Sequence, residues 1–460
     1  MIYDLVVIGG GPGGYAAAIR GSQLGKKVAC VEIEKVGGTC LNWGCIPTKA
    51  LLKNAHMYHQ LRYDSQKFGL TFDNLSYNWS SIIGRSRHIS NKLSGGIEYL
   101  LKKNNVDYIQ GSGAIEELGI VRIGNPDGTV QFVKTKNIII ATGAKPREMN
   151  GLAFNQKSII SSKAAMVLEK QPDSMIIIGA GAIGVEFAYI YNTFGTNITI
   201  VETQANLLPA EDSEVSGAIT NSYRKKGITC LTNSTVSSAK DYGCSVSLTV
   251  QSPGGEKMLS ADCCLVAIGV SPVIPDGKKP ALTEKGWIRV DRQFQTSIPK
   301  VYAIGDVSGP PWLAHIASYE ATQCVDGIFI EGARIRQADN FPNCIYSYPE
   351  VASVGKTEQF LKNQGIPYKS SKFPYQALGK AHAESSNEGF IKLLACEETD
   401  QLLGAHIIGS NATEIISEMS LAISRAASLE QVKNTIHPLP SFSEGIYEAA
   451  LGINGDPIHR

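Results

Sequence analysis

The 460-residue chain carries almost no net charge. Lys and Arg number 43 against 42 Asp and Glu, a formal charge of +1 with no long run of either sign. That removes the electrostatic case for a nucleic-acid surface or an anionic-membrane surface, and leaves small molecules or neutral protein faces as partners. No uninterrupted apolar stretch of about 18 or more residues occurs, so no membrane span is expected. The N-terminal MIYDLVVIGGG has no basic n-region and runs straight into glycines, so a cytoplasmic protein is expected. Ten cysteines are too sparse for a disulfide scaffold in a chain this long, and a reducing compartment keeps most of them as thiols. Eight read as small buried hydrophobes. No cysteine pair stands at ligand spacing from the other two, so no metal is expected.

What is present is apolar material in quantity. With 43% hydrophobic residues the chain can bury roughly two to four separate cores, which makes it a multidomain globular protein. Leu5 to Ile8 reads as a buried strand, followed by Gly9, Gly11 and Gly14 at GxGxxG spacing and a helical stretch to about Leu24. A second apolar run, Val28 to Val31, ends in Glu32. In this order the glycines let the backbone approach a pyrophosphate, the helix N-terminus faces its charge, and the acid accepts from a ribose hydroxyl. The unit recurs. Ser174 to Ile178 leads into Gly179, Gly181 and Gly184, a helix through about Phe194, and a strand Ile198 to Val201 capped by Glu202. Each element is displaced by 170 residues, acids included, so the chain is expected to hold two dinucleotides. From Thr203 to Tyr223 there is no Lys or Arg to meet a 2′-phosphate, so the second site favours NAD over NADP.

Directly after the first unit comes GGTCLNWGCIPTKALL, where Cys40 and Cys45 flank four residues ahead of a helical pattern. Two thiols this close can form a small-loop disulfide, and a helix N-terminus favours the thiolate. A pair of inert buried thiols is the competing reading of CxxxxC, and its place beside a dinucleotide site favours redox chemistry.

These motifs, together with IIIATGAKPR, IIIGAGAIGVEF, VYAIGDV and YSYPEVASVG, resemble the flavin-dependent pyridine nucleotide-disulfide oxidoreductases over nearly the whole chain, and most closely their dihydrolipoamide dehydrogenase branch. The resemblance implies an α/β fold of two Rossmann-like domains plus a C-terminal α+β dimerisation domain. FAD would occupy the first site and NAD the second. It also implies the activity, oxidation of dihydrolipoamide through a Cys40–Cys45 disulfide and FAD with hydride passed to NAD+. Cys40 is then the interchange thiol and Cys45 the thiol at the flavin. Lys49 matches the lysine beside the flavin ring, and Glu186 the glutamate near nicotinamide and flavin. Thr142, Gly143, Asp306, Ala314 and His315 match positions lining FAD, while Gly113 and Gly269 are assigned to the cofactor sites as well. The implied layout is an FAD domain over 1–148, an inserted NAD domain over 149–270, a central segment over 271–341 that completes the FAD site, and an interface domain over 342–460. Implied partners are a second copy of the chain and lipoamide, free or on a lipoyl-bearing protein of a 2-oxoacid dehydrogenase complex.

One position departs from the pattern. The family's C-terminal segment resembles His-x-His-Pro-Thr-x-Ser-Glu, whose second histidine is the base and whose glutamate orients it. Here TIHPLPSFSE, aligned without gaps, places Leu439 at the base and Glu444 at the glutamate, with both flanks in register. His437 becomes the outer histidine; a gapped alignment instead puts it on the base position. Three readings stay open: His437 has moved into the role, hydroxide and buffer serve, or the substrate does not need this proton transfer. A transhydrogenase-like enzyme and an impaired FAD-holding paralogue are the alternatives to dihydrolipoamide oxidation.

Overall fold

The computed structural model describes residues 2–455 and 457–459. They form two compact units. One comprises Met1–Ala50, Ile83–Arg147 and Gly269–Asp339, the other Leu51–Ile82, Glu148–Ile268 and Asn340–Arg460.

The first unit is built on a seven-stranded sheet. Its central strand, Ile2–Ile8, runs parallel to Val28–Glu32 on one side and to Val130–Ile140 on the other, with Leu5 opposite Val28 and Asn137. Leu5, Val6 and Val7 are fully buried, as a parallel strand covered on both faces requires. The helix Pro12–Gln23 opens with proline at its first turn and buries Gly13, Gly14, Ala17, Ala18 and Gly21. Such small residues allow close packing. A Cβ on Gly13 would stand 3.2 Å from the Ala317 carbonyl of the helix Ala314–Phe329.

The second unit contains the repeat. A five-stranded parallel sheet includes Ser174–Ile178 beside Asn197–Val201, with the helix Ala182–Thr193 between them in sequence. An antiparallel three-stranded sheet follows. The C-terminal part is an antiparallel five-stranded sheet, Asn343–Ile345 to Tyr368–Pro374 at its edges, packed under the helices Ala412–Ser424 and Glu444–Gly452. The expected architecture, two Rossmann-like domains and a C-terminal α+β region, is the one the chain adopts. The expected helices to Leu24 and Phe194 each end one residue sooner, at Gln23 and Thr193. No described helix is long and apolar enough to cross a membrane.

Within this unit the buried Lys392 ammonium bonds Asp212 (2.9 Å), Glu214 (2.9 Å) and Glu358 (2.6 Å). Three carboxylate oxygens this close resemble a cation site, and the ammonium fills it. Asp212 also caps the helix Ser213–Lys225 by accepting from the Glu214 backbone N–H.

Candidate active site

The two glycine loops share one geometry. Gly9 and Gly179 take φ +105° and +96°, the left-handed region open to glycine. Gly11 and Gly181 then cap their helices at φ −68°, ψ −175° and φ −70°, ψ −175°. A Cβ on Gly14 would fall 1.8 Å from the Gly9 carbonyl oxygen, and one on Gly184 would fall 2.0 Å from that of Gly179. The third glycine of each fingerprint is therefore compulsory. Neither helix has a side-chain cap or an acid in its first turn, so its leading N–H groups are left for an anion.

Both strand-end acids are locked into their loops. Glu32 accepts the Gly10 N–H at 2.6 Å with one oxygen and the Glu34 N–H at 2.8 Å with the other. Glu202 does the same with Ala180 and Gln204, each at 2.8 Å. A carboxylate oxygen accepts two bonds, so each acid keeps capacity for a ribose hydroxyl while holding the loop in shape. These cradles fit two dinucleotides.

The cysteines lie against the first cradle. Cys40 sits in the short helix Gly38–Trp43, and after Gly44 breaks the chain direction Cys45 begins the helix Cys45–His59. A Cβ on Gly38 would stand 2.6 Å from the Gly11 Cα, so the cysteine turn and the fingerprint loop touch backbone to backbone. Asn42 staples the turn by donating to the carbonyls of Val36 (3.1 Å) and Gly38 (3.0 Å). Its own side-chain oxygen accepts from Ser94 at 2.7 Å. The two thiols are hydrogen-bonded to each other; that bond, then burial and the Cys45 charge, raise the Cys40 thiol, while Lys49 pulls it down. Lys49 is thus within electrostatic reach of the pair. So is Tyr15, one residue past Gly14, whose phenol is raised by burial and then by Cys40 and Cys45. Nothing in the sequence reading marked Tyr15, because a lone aromatic after a glycine loop has no signature of its own.

The other sequence-derived positions fall into two groups. In the first unit, Thr142 donates to the Val273 carbonyl at 2.5 Å, Gly143 accepts from the Val273 N–H, and Gly269 accepts from the Arg147 N–H. A Cβ on Gly113 would stand 2.8 Å from Ile8. Asp306, in the turn Gly305–Ser308, is pushed up to about 6 by burial and then by Glu320, which itself accepts the Gly305 N–H. Ala314 and His315 start their helix. In the second unit, Glu186 is buried on the fingerprint helix and accepts the Tyr346 N–H at 2.9 Å.

In the C-terminal segment His437 and Glu444 have different hydrogen-bond partners. His437 has Nε2 2.8 Å from Glu418 and Nδ1 2.9 Å from the Thr435 carbonyl. Leu439 is exposed. Glu444 opens the helix Glu444–Gly452, is buried, and has one oxygen without a hydrogen-bond partner. Burial raises its carboxyl; His459 pulls it down and Glu448 pushes it up. Glu418, Glu448 and His459 were not singled out from sequence, since pairs 19 residues apart (Glu418 with His437) and 11 apart (Glu448 with His459) follow no motif spacing.

Comparisons with known proteins follow these features. The sequence model of the pyridine nucleotide-disulphide oxidoreductases matches residues 3–321, and that of their dimerisation domain matches residues 341–450. A dihydrolipoyl dehydrogenase of Chlorobaculum tepidum is 42% identical, covering 98% of this chain and 96% of the relative. That of Bacillus subtilis is 39% identical, covering 99% of each. Among solved structures, LpdA from Mycobacterium tuberculosis superposes with a TM-score of 0.89 over 97% of this chain and 98% of that one; at 23% identity it bears on the fold alone. The repeated cradle, the adjoining dithiol and these matches have one reading: the chain belongs to the pyridine nucleotide-disulphide oxidoreductase family.

Proposed function

We propose that this protein oxidises dihydrolipoamide to lipoamide and reduces NAD+, with FAD as its resident cofactor. The observation that carries the reading is the dithiol packed against the first glycine cradle, the Gly38 and Gly11 backbones in contact. The full-length identity to dihydrolipoyl dehydrogenases supports it. FAD, bound in the first cradle, supplies the two-electron relay between thiols and nicotinamide.

The chain's own residues do the rest. Cys40 meets the substrate thiolate, which attacks its sulfur and expels Cys45; the second substrate thiol then releases Cys40, so the substrate loses two electrons and the enzyme disulfide gains them. Lys49 holds positive charge near the thiolate that forms. Gly9, Gly11, Gly14 and Glu32 hold one dinucleotide, with Gly113, Thr142, Gly143, Asp306, Ala314 and His315 along its length. Gly179, Gly181, Gly184, Glu202 and Gly269 hold NAD, with Glu186 near the nicotinamide. His437, with both ring nitrogens engaged, fastens the C-terminal loop.

The same reading divides the chain into an FAD domain (1–148), an NAD domain (149–270), a central segment (271–341) and an interface domain (342–460). It makes the working unit a cytoplasmic homodimer that serves free lipoamide or a lipoyl-bearing protein of a 2-oxoacid dehydrogenase complex. Anaerobic NADH added to the oxidised holoenzyme, followed by alkylation and peptide mass analysis, tests the electron path. Two new alkylated thiols at Cys40 and Cys45 are expected; an unmodified peptide refutes the proposal.

A further inference from the structure

The second unit contains a cavity lined by none of the residues assigned above to thiol or nucleotide chemistry. Its volume is about 360 Å³, and it shares a wall of Lys225, Lys226, Asn387 and Glu388 with a second cavity of the same size. The lysines end the helix Ser213–Lys225, and Asn387 and Glu388 lie in the loop ahead of the strand Phe390–Cys396. Small-molecule sites usually occupy about 300–1,000 Å³, so the space suits a small ligand.

The charges of the wall do not cancel. Lys226 has a side chain only 15% exposed, donates to Ser222 Oγ at 2.6 Å, stands 5.5 Å from the centre of the Tyr348 ring, and meets a single carboxylate, Glu388, at 3.5 Å. Burial lowers its pKa; Glu388 works against that and Lys225 with it. Lys225 itself pairs with no acid among the described residues. Elsewhere in the wall Lys67 answers Asp64 at 2.7 Å, and burial, followed by Lys226, lowers His59 and keeps it neutral at pH 7. One positive charge is left over, at the wall the two cavities share. The same wall carries an unanswered acceptor: Asn387 Oδ1 is buried and has no hydrogen-bond partner among the described residues, which is costly unless a donor meets it. Ser385 and Ser410 add hydroxyls that can donate or accept.

We propose that this cavity is a binding site for a small hydroxylated monocarboxylate. The carboxylate sits against Lys225 and Lys226, where an anion makes charge-assisted hydrogen bonds. One hydroxyl donates to Asn387 Oδ1, and others meet Ser385 and Ser410. Tyr348 and Pro349, in the same wall, give the carbon chain an apolar face. A dianion would exceed the single surplus charge and crowd Asp64 and Glu388, and a ligand without hydroxyls would leave Asn387 unanswered.

The inference goes beyond the dihydrolipoamide reading, and its test reads binding, not turnover, so either can fail alone. Gluconate, sorbitol and hexanoate share one carbon-chain length; sorbitol lacks the carboxylate and hexanoate the hydroxyls. Each is titrated calorimetrically into the FAD holoenzyme saturated with NAD+, so that both glycine cradles are filled. Gluconate is expected to bind with a Kd of about 1 mM or tighter, and sorbitol and hexanoate at least about tenfold more weakly. Lys225→Gln, at an exposed position, should weaken gluconate about tenfold, the effect of losing one bond to a charged group. Asn387→Leu should bring gluconate down to the hexanoate level. Flavin content and melting temperature of both variants should match wild type, which shows that the fold is intact. Gluconate binding weaker than that range, binding that neither substitution changes, or hexanoate binding as tightly as gluconate overturns the inference.

Discussion

At the scale of single residues, the pairing of His437 with Glu418 has a pH signature. The hydrogen bond to Glu418, opposed by burial, raises the imidazole's pKa above its ordinary value. A raised pKa means the folded state binds the proton more tightly, so this contribution is complete below the unfolded histidine pKa and vanishes as pH rises through the folded one. His437→Gln should therefore lower the denaturation midpoint at pH 5.5 by an amount equivalent to about 1 kcal/mol or less, and change it little at pH 9. An equal shift at both pH values would show that packing, not charge, holds the loop. The fingerprint glycines, the cysteine pair and the strand-end acids were legible because their spacing reports local backbone geometry. Tyr15, Glu418, Glu448 and His459 were not, because each acquires meaning from a partner that only the folded chain brings near.

At the scale of elements, the two glycine loops make separable predictions. Gly184→Ala puts a methyl group where the Gly179 carbonyl stands, 2.0 Å away, so the loop must shift. Overpacking of this kind costs about 1–3 kcal/mol, or about 5- to 150-fold in affinity. The KM for NAD+ should rise accordingly while flavin content stays at one per chain. Gly14→Ala, with its 1.8 Å clash, should instead release flavin, read from the absorbance ratio of the purified protein. If either variant produced the other's effect, the assignment of FAD to the first loop and NAD to the second would be reversed. The repeat was readable because parallel strands buried on both faces appear as apolar runs, and its helices missed their ends by a single residue. The antiparallel C-terminal sheet left a fainter trace. Its strand Phe390–Cys396 carries Lys392 in the middle of an apolar run, and only the fold reveals the three acids that make this tolerable.

At the scale of the whole molecule, that lysine ties segments more than 170 residues apart in sequence, Asp212 and Glu214 to Lys392 itself. Burial works to raise Glu358, but bonds from Lys362, Lys392 and Tyr368 prevail and bring it down to about 2. A carboxylate depressed in the fold adds stability above its unfolded pKa, ordinarily about 4.3, and surrenders it as pH falls toward 2. Lys392→Met leaves the buried Asp212 without its counter-charge, while Glu358 keeps Lys362 and Glu214 keeps Lys372. Losing one partner of such a buried set costs about 3–5 kcal/mol, so the melting temperature at pH 7 should fall by several degrees, and its decline between pH 5 and pH 2 should be shallower than in wild type. An unchanged melting curve would mean the network is dispensable. Electron flow through Cys40 and Cys45 is tested by steady-state NADH formation from dihydrolipoamide and NAD+, with wild type and Cys45→Ser compared. Wild-type turnover within the usual enzymatic range of about 1–10³ s⁻¹, abolished in Cys45→Ser while its NADH–ferricyanide activity persists, is the predicted result. NADH formation by Cys45→Ser at the wild-type rate, or none by wild type, would refute electron flow through the pair.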